Sequence, residues 1–383
     1  MSAYQNKLQD TLYHINNGNE NLGFRMLVDA VLDTANMPNF DACIAIADWH
    51  DQNEQDKATY IKKCIDLITT LQGQAIHIDI DKTALVQAKN IVKQYGKNSF
   101  LLGPINIEIY AGQLIGLVGE NGNGKTTLLR MLAKELSITE GKISYPFANK
   151  KLDDYTLRTR LTYIPQRTAK WYGKVKDNLK LTATNYGIAP HENEQWVLMM
   201  MIRFGLWKFR NHAWEELSSG YKMRFELART FLRKPKLLLL DEPLANLDIL
   251  SQQLILEDLK LMGKSLSNPL GIVLSSQQLY EVEKVSDEVV FLQNGKPSSF
   301  NNLKNNDEPN NLVVELEIDN TKEELIAALQ NIEINEIKLL GSNYYIDVKN
   351  TTTKVFLQTL LMHNITVKYF RDISLSTRRF FNK

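Results

Sequence analysis

The sequence predicts an α/β fold with a parallel sheet at its centre, preceded by an all-helical region and followed by a small α+β region. Three observations lead to this prediction. Residues 237–240 and 272–274 are continuous apolar runs, which are typical of strands buried in a parallel sheet. Segments with the apolar spacing of helices alternate with these runs. A glycine-rich loop at 119–127 lies between one apolar run and one helical segment.

Residues 1–75 are predicted to form a helical domain of about four helices. Apolar residues such as Leu27, Ala30 and Val31 recur at intervals of three and four, and Pro38 marks the start of a further helix. The region carries ten acidic residues against five basic ones, a net charge of −5. Two interpretations are open: a docking or regulatory module, or a helical domain with a solvated acidic surface.

The rest of the chain divides by composition and pattern. Residues 76–296 alternate between strands and helices and are predicted to form one α/β domain. The asparagine-rich stretch 297–311 predicts a linker. Residues 312–383 follow the order strand, helix, two strands, helix, strand, which predicts a small ferredoxin-like α+β domain. The three methionines at 199–201 are interpreted as core residues of a helix.

The composition argues against several classes of protein. Lysine and arginine number 45 against 44 acidic residues, so we expect no nucleic-acid partner. The sequence has no run of 18 apolar residues and no apolar core near its start, so we expect neither a membrane span nor a signal peptide. Cys43 and Cys64 lie in apolar-periodic segments, which predicts buried free thiols in a reducing compartment.

The loop at 119–127 reads G-x-x-x-x-G-K-T-T, the phosphate-binding pattern of nucleoside-triphosphate sites. Its glycines allow the backbone to curl closely around a polyanion. Lys125 is predicted to reach the β- and γ-phosphates, and the Thr126 hydroxyl to bind Mg²⁺. The residues predicted to hold the nucleotide here are Gly119, Asn121, Gly122, Gly124, Lys125, Thr126 and Thr127.

Motifs downstream of this loop resemble those of ATP-binding cassette (ABC) proteins. Residues 217–224 read Leu-Ser-Ser-Gly-Tyr-Lys-Met-Arg, which is similar to the L-S-G-G-Q signature. Residues 241–243, Asp-Glu-Pro, resemble the Walker B motif with its catalytic glutamate, and residues 245–248 resemble the D-loop. Gln166 matches the Q-loop glutamine. The resemblance covers about residues 84–296 and implies a cassette with an antiparallel β subdomain and a helical subdomain.

The resemblance implies ATP and Mg²⁺ as cofactors and assigns further roles. Asp241, at the carboxyl end of a buried strand, and Gln166 would hold the metal with the threonine of the loop. Gln166 would also contact the attacking water, as a catalytic residue. Glu242 would polarise the attacking water as general base. Ser218 and Gly220 open a helix whose N-terminus would receive the γ-phosphate bound by a second copy, so a homodimer is implied.

Two further nucleotide contacts are carried over from the family. Tyr95 stands where the family has an adenine-stacking aromatic residue, although Phe100 or Tyr110 could serve instead. Asp248, the last residue of the D-loop, joins the nucleotide-binding set.

The sequence departs from the family pattern at the signature and at the switch position. Ser219 and Tyr221 replace a glycine and a glutamine, but a helix N-terminus remains, so we expect ATP to be sandwiched. Gln277 stands where the family has the switch histidine. A glutamine amide donates one neutral hydrogen bond but carries no charge, so we expect slow but real hydrolysis with Gln277 as a catalytic residue.

The Ser-Gly-Tyr signature at 219–221 resembles the exporter branch of the family that includes drug-resistance and polymer-export cassettes. Residues 241–248 also resemble the haem-exporter cassettes, and the phrase at 372–376 is similar to the end of the C-terminal tail that many of that branch carry. They predict an ATPase subunit that drives a separate transmembrane permease from the cytoplasmic face of the cell membrane. Two alternatives are open: a soluble ABC ATPase without a transporter, and an ATP-binding regulator with weak turnover because of Gln277.

Overall fold

The computed structural model of the chain describes residues 2–74, 83–96, 100–148, 153–277, 279–299 and 312–374. It divides into two compact units, Met1–Ser298 and Ser299–Lys383. The predicted boundary at residues 75 and 76, residues 300–311 of the predicted linker, and residues 375 and 376 of the exporter-like phrase lie outside the described residues.

Four helices open the first unit: α1 (Ala3–Asn16), α2 (Glu20–Thr34), α3 (Met37–Gln52) and α4 (Lys57–Gln72). Their starts follow from local capping, because Ser2 and Asp56 accept backbone hydrogen bonds at α1 and α4, and Pro38 lies in the first turn of α3. Their apolar faces form one cluster that also includes Met199 and Ile202 of a later helix. The four helices therefore belong to the same compact unit as the α/β region.

The central sheet has six strands in the order β5-β6-β7-β3-β8-β9, and the pairs from β5 to β8 are parallel. Its strands are β3 (Leu114–Val118), β5 (Leu161–Ile164), β6 (Leu237–Leu240), β7 (Gly271–Ser276), β8 (Glu288–Gln293) and β9 (Lys296–Ser299). Strand β9 corrects the predicted linker at residues 297–299. Pro297 is tolerated there because β9 is at the edge of the sheet, where a proline without an N–H need not interrupt the hydrogen bonds between strands.

A three-stranded antiparallel sheet packs beside the central one. Its order is β2-β1-β4, with strands β1 (Ala84–Gln94), β2 (Leu101–Tyr110) and β4 (Glu140–Ser144). The remaining helices of the unit are α5 (Lys125–Leu132), α6 (Asp154–Arg160), α7 (Val175–Asn185), α8 (Asn193–Arg203), α9 (Ser219–Phe231), α10 (Ile249–Gly263) and α11 (Leu279–Val285).

A buried ionic cluster joins the N-terminal helices to α8 and α10. The fully buried Arg203 donates from Nε to Asp29 Oδ1 and from Nη1 to Asp258 Oδ1, each at 2.5 Å. Arg25 also donates to Asp258 Oδ1, at 2.8 Å. Burial alone lowers the pKa of Arg203, but the two carboxylates outweigh it and hold that pKa above its ordinary value. At least one acidic side chain of residues 1–75, that of Asp29, is therefore buried in an ion pair and is not exposed to solvent.

The second unit contains a four-stranded antiparallel sheet in the order β11-β12-β10-β13. Its elements, in chain order, are β10 (Leu312–Ile318), α12 (Lys322–Ala328), β11 (Ile334–Leu340), β12 (Asn343–Val348), α13 (Thr353–Met362) and β13 (Val367–Asp372). Leu316, Ile346 and Phe356 lie in its single apolar cluster.

Candidate nucleotide site

The glycine-rich loop connects the fully buried strand β3 to helix α5. Gly122 and Gly124 have φ angles of 83° and 94°, which side-chain-bearing residues rarely adopt. Gly119 is required for a different reason, because a Cβ there would lie 2.4 Å from the carbonyl oxygen of Leu292. The loop is thus confined to a narrow curl that ends at the N-terminus of α5, a position suited to phosphate.

Lys125, the first residue of α5, is folded back into the loop. Its Nζ donates to the carbonyl oxygens of Gly119 at 2.7 Å and Glu120 at 3.2 Å, and lies 3.2 Å from Glu242 Oε1. The side chain is only 5% exposed. This ammonium is therefore buried at the centre of the loop and held by groups that an incoming phosphate can replace.

Asp241 directly follows strand β6, and its carboxylate accepts hydrogen bonds from three hydroxyl groups. Its Oδ2 accepts from Thr126 Oγ1 at 2.7 Å and from Tyr163 OH at 3.1 Å, and its Oδ1 accepts from Ser275 Oγ at 2.8 Å. Burial and the adjacent Asp241 raise the pKa of Tyr163, so this phenol stays a donor at neutral pH. Sequence reasoning missed Tyr163 and Ser275; their only signal is their position at the ends of the strands that flank β6.

Glu242 has both carboxylate oxygens engaged. Oε1 faces the Lys125 ammonium, and Oε2 accepts from Gln277 Nε2 at 2.8 Å. Its backbone N–H donates to Ser275 Oγ at 2.9 Å, and its φ angle is 46°, in the left-handed region. A strained backbone at a polar cluster is typical of functional sites. The structure thus brings Lys125, Glu242 and Gln277 together.

Ser218 and Asp248 cap the helices α9 and α10. Ser218 Oγ accepts from the backbone N–H of Tyr221 at 3.4 Å. Ser251 donates to Asp248 from Oγ at 2.6 Å and from its backbone N–H at 2.9 Å, and these bonds lower the pKa of Asp248. A Cβ on Gly220 would lie 2.9 Å from Ser251 Oγ. The first turn of α9 therefore packs directly against the start of α10.

The remaining predicted residues lie around this centre. Gln166 is exposed two residues beyond β5, Asn121 is exposed in the loop, and Thr127 is half-buried in α5. Tyr95 is 62% exposed, and Lys93 Nζ lies 5.3 Å from its ring centroid. Phe100 packs against the loop, because a Cβ on Gly124 would lie 3.2 Å from Phe100 Cε1. Tyr110 instead donates its hydroxyl to Glu108, at 2.7 Å.

Within the ranges that the structure describes, no group of three histidine, cysteine or acidic side chains could hold a metal ion by itself. Across the same ranges, no helix is both long and apolar enough to cross a membrane.

A buried strand, a curled glycine loop, an inward lysine and an Asp–Glu pair at the carboxyl edge of a parallel sheet define a nucleoside-triphosphate-binding protein of the phosphate-loop class. The ABC transporter family model matches residues 102–245. The chain is 32% identical over 216 residues to an uncharacterized ABC transporter ATP-binding protein, YhaQ, of Bacillus subtilis (strain 168), a match covering 56% of this chain and 70% of that one.

It is 30% identical over 212 residues to the lantibiotic transport ATP-binding protein SrtF of Streptococcus pyogenes, covering 55% of this chain and 88% of SrtF. Among solved structures, CbiO1 of Clostridium perfringens, part of the ABC transporter complex CbiONQ, matches with a TM-score of 0.52 and 23% identity, covering 57% of this chain and 88% of CbiO1. At that identity the likeness concerns the fold.

The chain therefore belongs to the family of ABC transporter ATP-binding proteins. It has the cassette fold, binds ATP and is an ATPase.

Proposed function

We propose that this protein is the ATP-hydrolysing subunit of an ABC exporter, which acts as a homodimer on a separate transmembrane permease at the cytoplasmic face of the membrane. The observation that carries the proposal is the cluster of Lys125, Glu242 and Gln277 at the mouth of the phosphate loop. The direction of transport rests on the similarity to SrtF, whose name describes lantibiotic transport, and on the exporter-like motifs of the sequence.

Bound ATP would replace the present partners of Lys125. The ammonium would move from the Glu242 carboxylate and two loop carbonyls to the β- and γ-phosphates, which carry more charge. Glu242 Oε1 would then be released to accept a proton from the attacking water. In this account Lys125 keeps the base occupied until nucleotide arrives.

The residues around Asp241 fit Mg²⁺. Thr126 Oγ1 and Asp241 Oδ2 are 2.7 Å apart, and hydroxyl and carboxylate oxygens are the ligands that Mg²⁺ prefers. The exposed Gln166 lies beyond the neighbouring strand and would complete the set. When bound, Mg²⁺ neutralises charge that develops on the phosphates. Ser275 donates to the other oxygen of Asp241, and Tyr163 donates to the same oxygen as Thr126, so both help to orient the carboxylate.

The dimer is proposed from the position of the signature helix. One chain has one phosphate loop and one signature, and Ser218 stands at the N-terminus of α9, where it could meet a phosphate held by a second copy. Ile249 and Leu250, directly after Asp248, are 71% and 72% exposed. Adjacent exposed apolar side chains beside a capped helix end are suited to contact with a partner.

The experiment is a comparison of ATP hydrolysis and ATP binding in the wild type and in Glu242→Gln. The substitution keeps the shape of the side chain but removes the base, so we expect turnover to fall ~10²-fold or more while ATP binding is kept. Glu323→Gln, an exposed residue of α12, is the matched control and should leave turnover unchanged.

Turnover in Glu242→Gln equal to the wild type would contradict the assigned base. Reconstitution with a membrane protein from a neighbouring reading frame tests transport. Cargo accumulation inside cells that depends on Glu242 would contradict export, and intact ATP binding without any turnover would favour a regulator instead.

A further inference from the structure

A cavity of 480 Å³ lies between the N-terminal helices and the α/β core, inside the first unit. Its walls come from α2, from α8 and from the segments that lead into β5, β6 and β7. The volume is within the range of sites for small molecules, which is roughly 300–1,000 Å³. No role in the nucleotide site accounts for this cavity.

The cavity is separate from the phosphate loop. Lys236 lines it and immediately precedes β6, whereas Asp241 immediately follows the same strand. Five residues of extended chain span about 16 Å at roughly 3.3 Å per residue. The cavity therefore opens at the amino edge of the sheet, and the nucleotide site is at the carboxyl edge.

The walls combine apolar surface with cations. Leu32, Trp196, Met200 and Met262 supply the apolar part. The charged residues of the lining are Arg160, Lys234, Lys236 and Asp29. Three cations against one carboxylate leave the cavity positive, the more so because the Asp29 carboxylate is already paired with an arginine outside the lining.

The cations are held in place by their surroundings. Lys234 Nζ lies 4.3 Å from the ring centroid of Trp196, which keeps the ammonium over the apolar wall. Arg160 Nη1 donates to the carbonyl oxygen of Lys234 at 2.9 Å, which fixes its guanidinium beside the same residue. Charge and apolar surface are thus adjacent in one cavity.

One wall is fixed by Asp33. Its Oδ1 accepts from the backbone N–H groups of Leu266 and Ser267, at 3.2 and 3.1 Å, and from the hydroxyls of Ser265 and Ser267. Lys7 Nζ donates to its other oxygen at 2.6 Å. The segment that closes the cavity before β7 is therefore held without a ligand, and a preformed site loses less freedom on binding.

The acidic residue of the lining belongs to the ionic cluster. Asp29 is buried and lines the cavity, and its Oδ2 has no hydrogen-bond partner among the described residues. A buried carboxylate oxygen is normally satisfied. Within the same described residues, Arg203 Nη2 is likewise unpaired and belongs to the guanidinium that donates to Asp29 Oδ1, so the carboxylate is held by the ionic cluster and adds no separate contact for a ligand.

We propose that this cavity is a binding site for a small amphipathic anion, with its apolar body on the wall of Trp196 and the methionines and its anionic group at Lys234, Lys236 and Arg160. The site joins the N-terminal helices to the ATPase core, so its ligand touches both.

The test uses the full chain and 8-anilinonaphthalene-1-sulfonate, which has an aromatic body and a sulfonate. We expect saturable fluorescence enhancement at one site per chain, displaced by octanoate but not by octylammonium or by ATP. Lys234→Glu should weaken binding about tenfold or more, because it reverses the charge that meets the sulfonate. Lys142→Glu, the same change at an exposed position of β4, should not.

Lys234 is exposed, so its replacement should leave the fold intact, and retained ATP hydrolysis checks this. Equal affinity in the two variants, displacement by ATP, or equal displacement by octanoate and octylammonium would each overturn the proposal. Narrowing the cavity with Met200→Trp gives a second route, because it should weaken probe binding several-fold; unchanged binding would also overturn the proposal.

Discussion

Replacing Arg203 by methionine tests whether the ionic cluster anchors the N-terminal helices. Arg203 is fully buried and donates to both Asp29 and Asp258. Asp258 also accepts from Arg25, whereas among the described residues Arg203 is the cation paired with Asp29. The substitution leaves Asp29 as an uncompensated buried charge. Removing one partner of a buried pair costs about 3–5 kcal/mol, so we expect the free energy of unfolding to fall by that amount.

The assay is urea denaturation followed by tryptophan fluorescence. The double variant Arg203→Met/Asp29→Leu should regain more than half of the loss, because it removes the stranded charge while Arg25 keeps Asp258 paired. Lys208→Met is the matched control, since its pair with Glu54 joins the same layers at an exposed position and should matter little. A loss in Arg203→Met no larger than in Lys208→Met would refute the reasoning.

Three further predictions concern the site and the thiols. Gln277→His should raise ATP turnover without much change in ATP affinity, because an imidazole can carry charge next to Glu242; an unchanged or lower rate of phosphate release counts against that role. Gly119→Ala should weaken ATP binding ~10-fold or more by calorimetry, since its Cβ would lie 2.4 Å from the Leu292 carbonyl oxygen; wild-type affinity would contradict the close approach. Burial raises the pKa of Cys64 to about 12, so its contribution to stability is complete below roughly pH 8.5 and is lost as the pH rises towards 12. Thermal denaturation should therefore show a steeper loss of stability between pH 7.5 and 9.5 in the wild type than in Cys64→Ala, and parallel losses would contradict it.

Local patterns predicted the parts of the protein that depend on neighbours in sequence. The loop that ends at Lys125 needs glycines at particular φ angles, and Asp241 directly follows an apolar strand. Both features could therefore be predicted from a few consecutive residues. The family resemblance and the cassette fold that these motifs indicated are confirmed by the comparisons. The roles of the individual site residues stay predictions.

Contacts between distant segments were not predictable in the same way. Asp29 and Arg203 are 174 residues apart in the sequence, and no feature of either segment indicates that these two side chains form an ion pair. A lone arginine after the apolar run at 199–202 was the only signal that a buried charge needed a counterion. Strand β9 was missed because its polar, proline-containing sequence resembles a linker, although an edge strand accepts such residues.

Sedimentation velocity of Glu242→Gln with ATP and Mg²⁺ tests the central claim most directly. If two copies hold nucleotide between the phosphate loop of one and Ser218 of the other, this variant should be a dimer with ATP and a monomer without it. Adding Ser218→Arg should keep ATP binding and prevent the dimer. A monomer at saturating ATP, or a dimer that forms equally well with Ser218→Arg, would contradict the account.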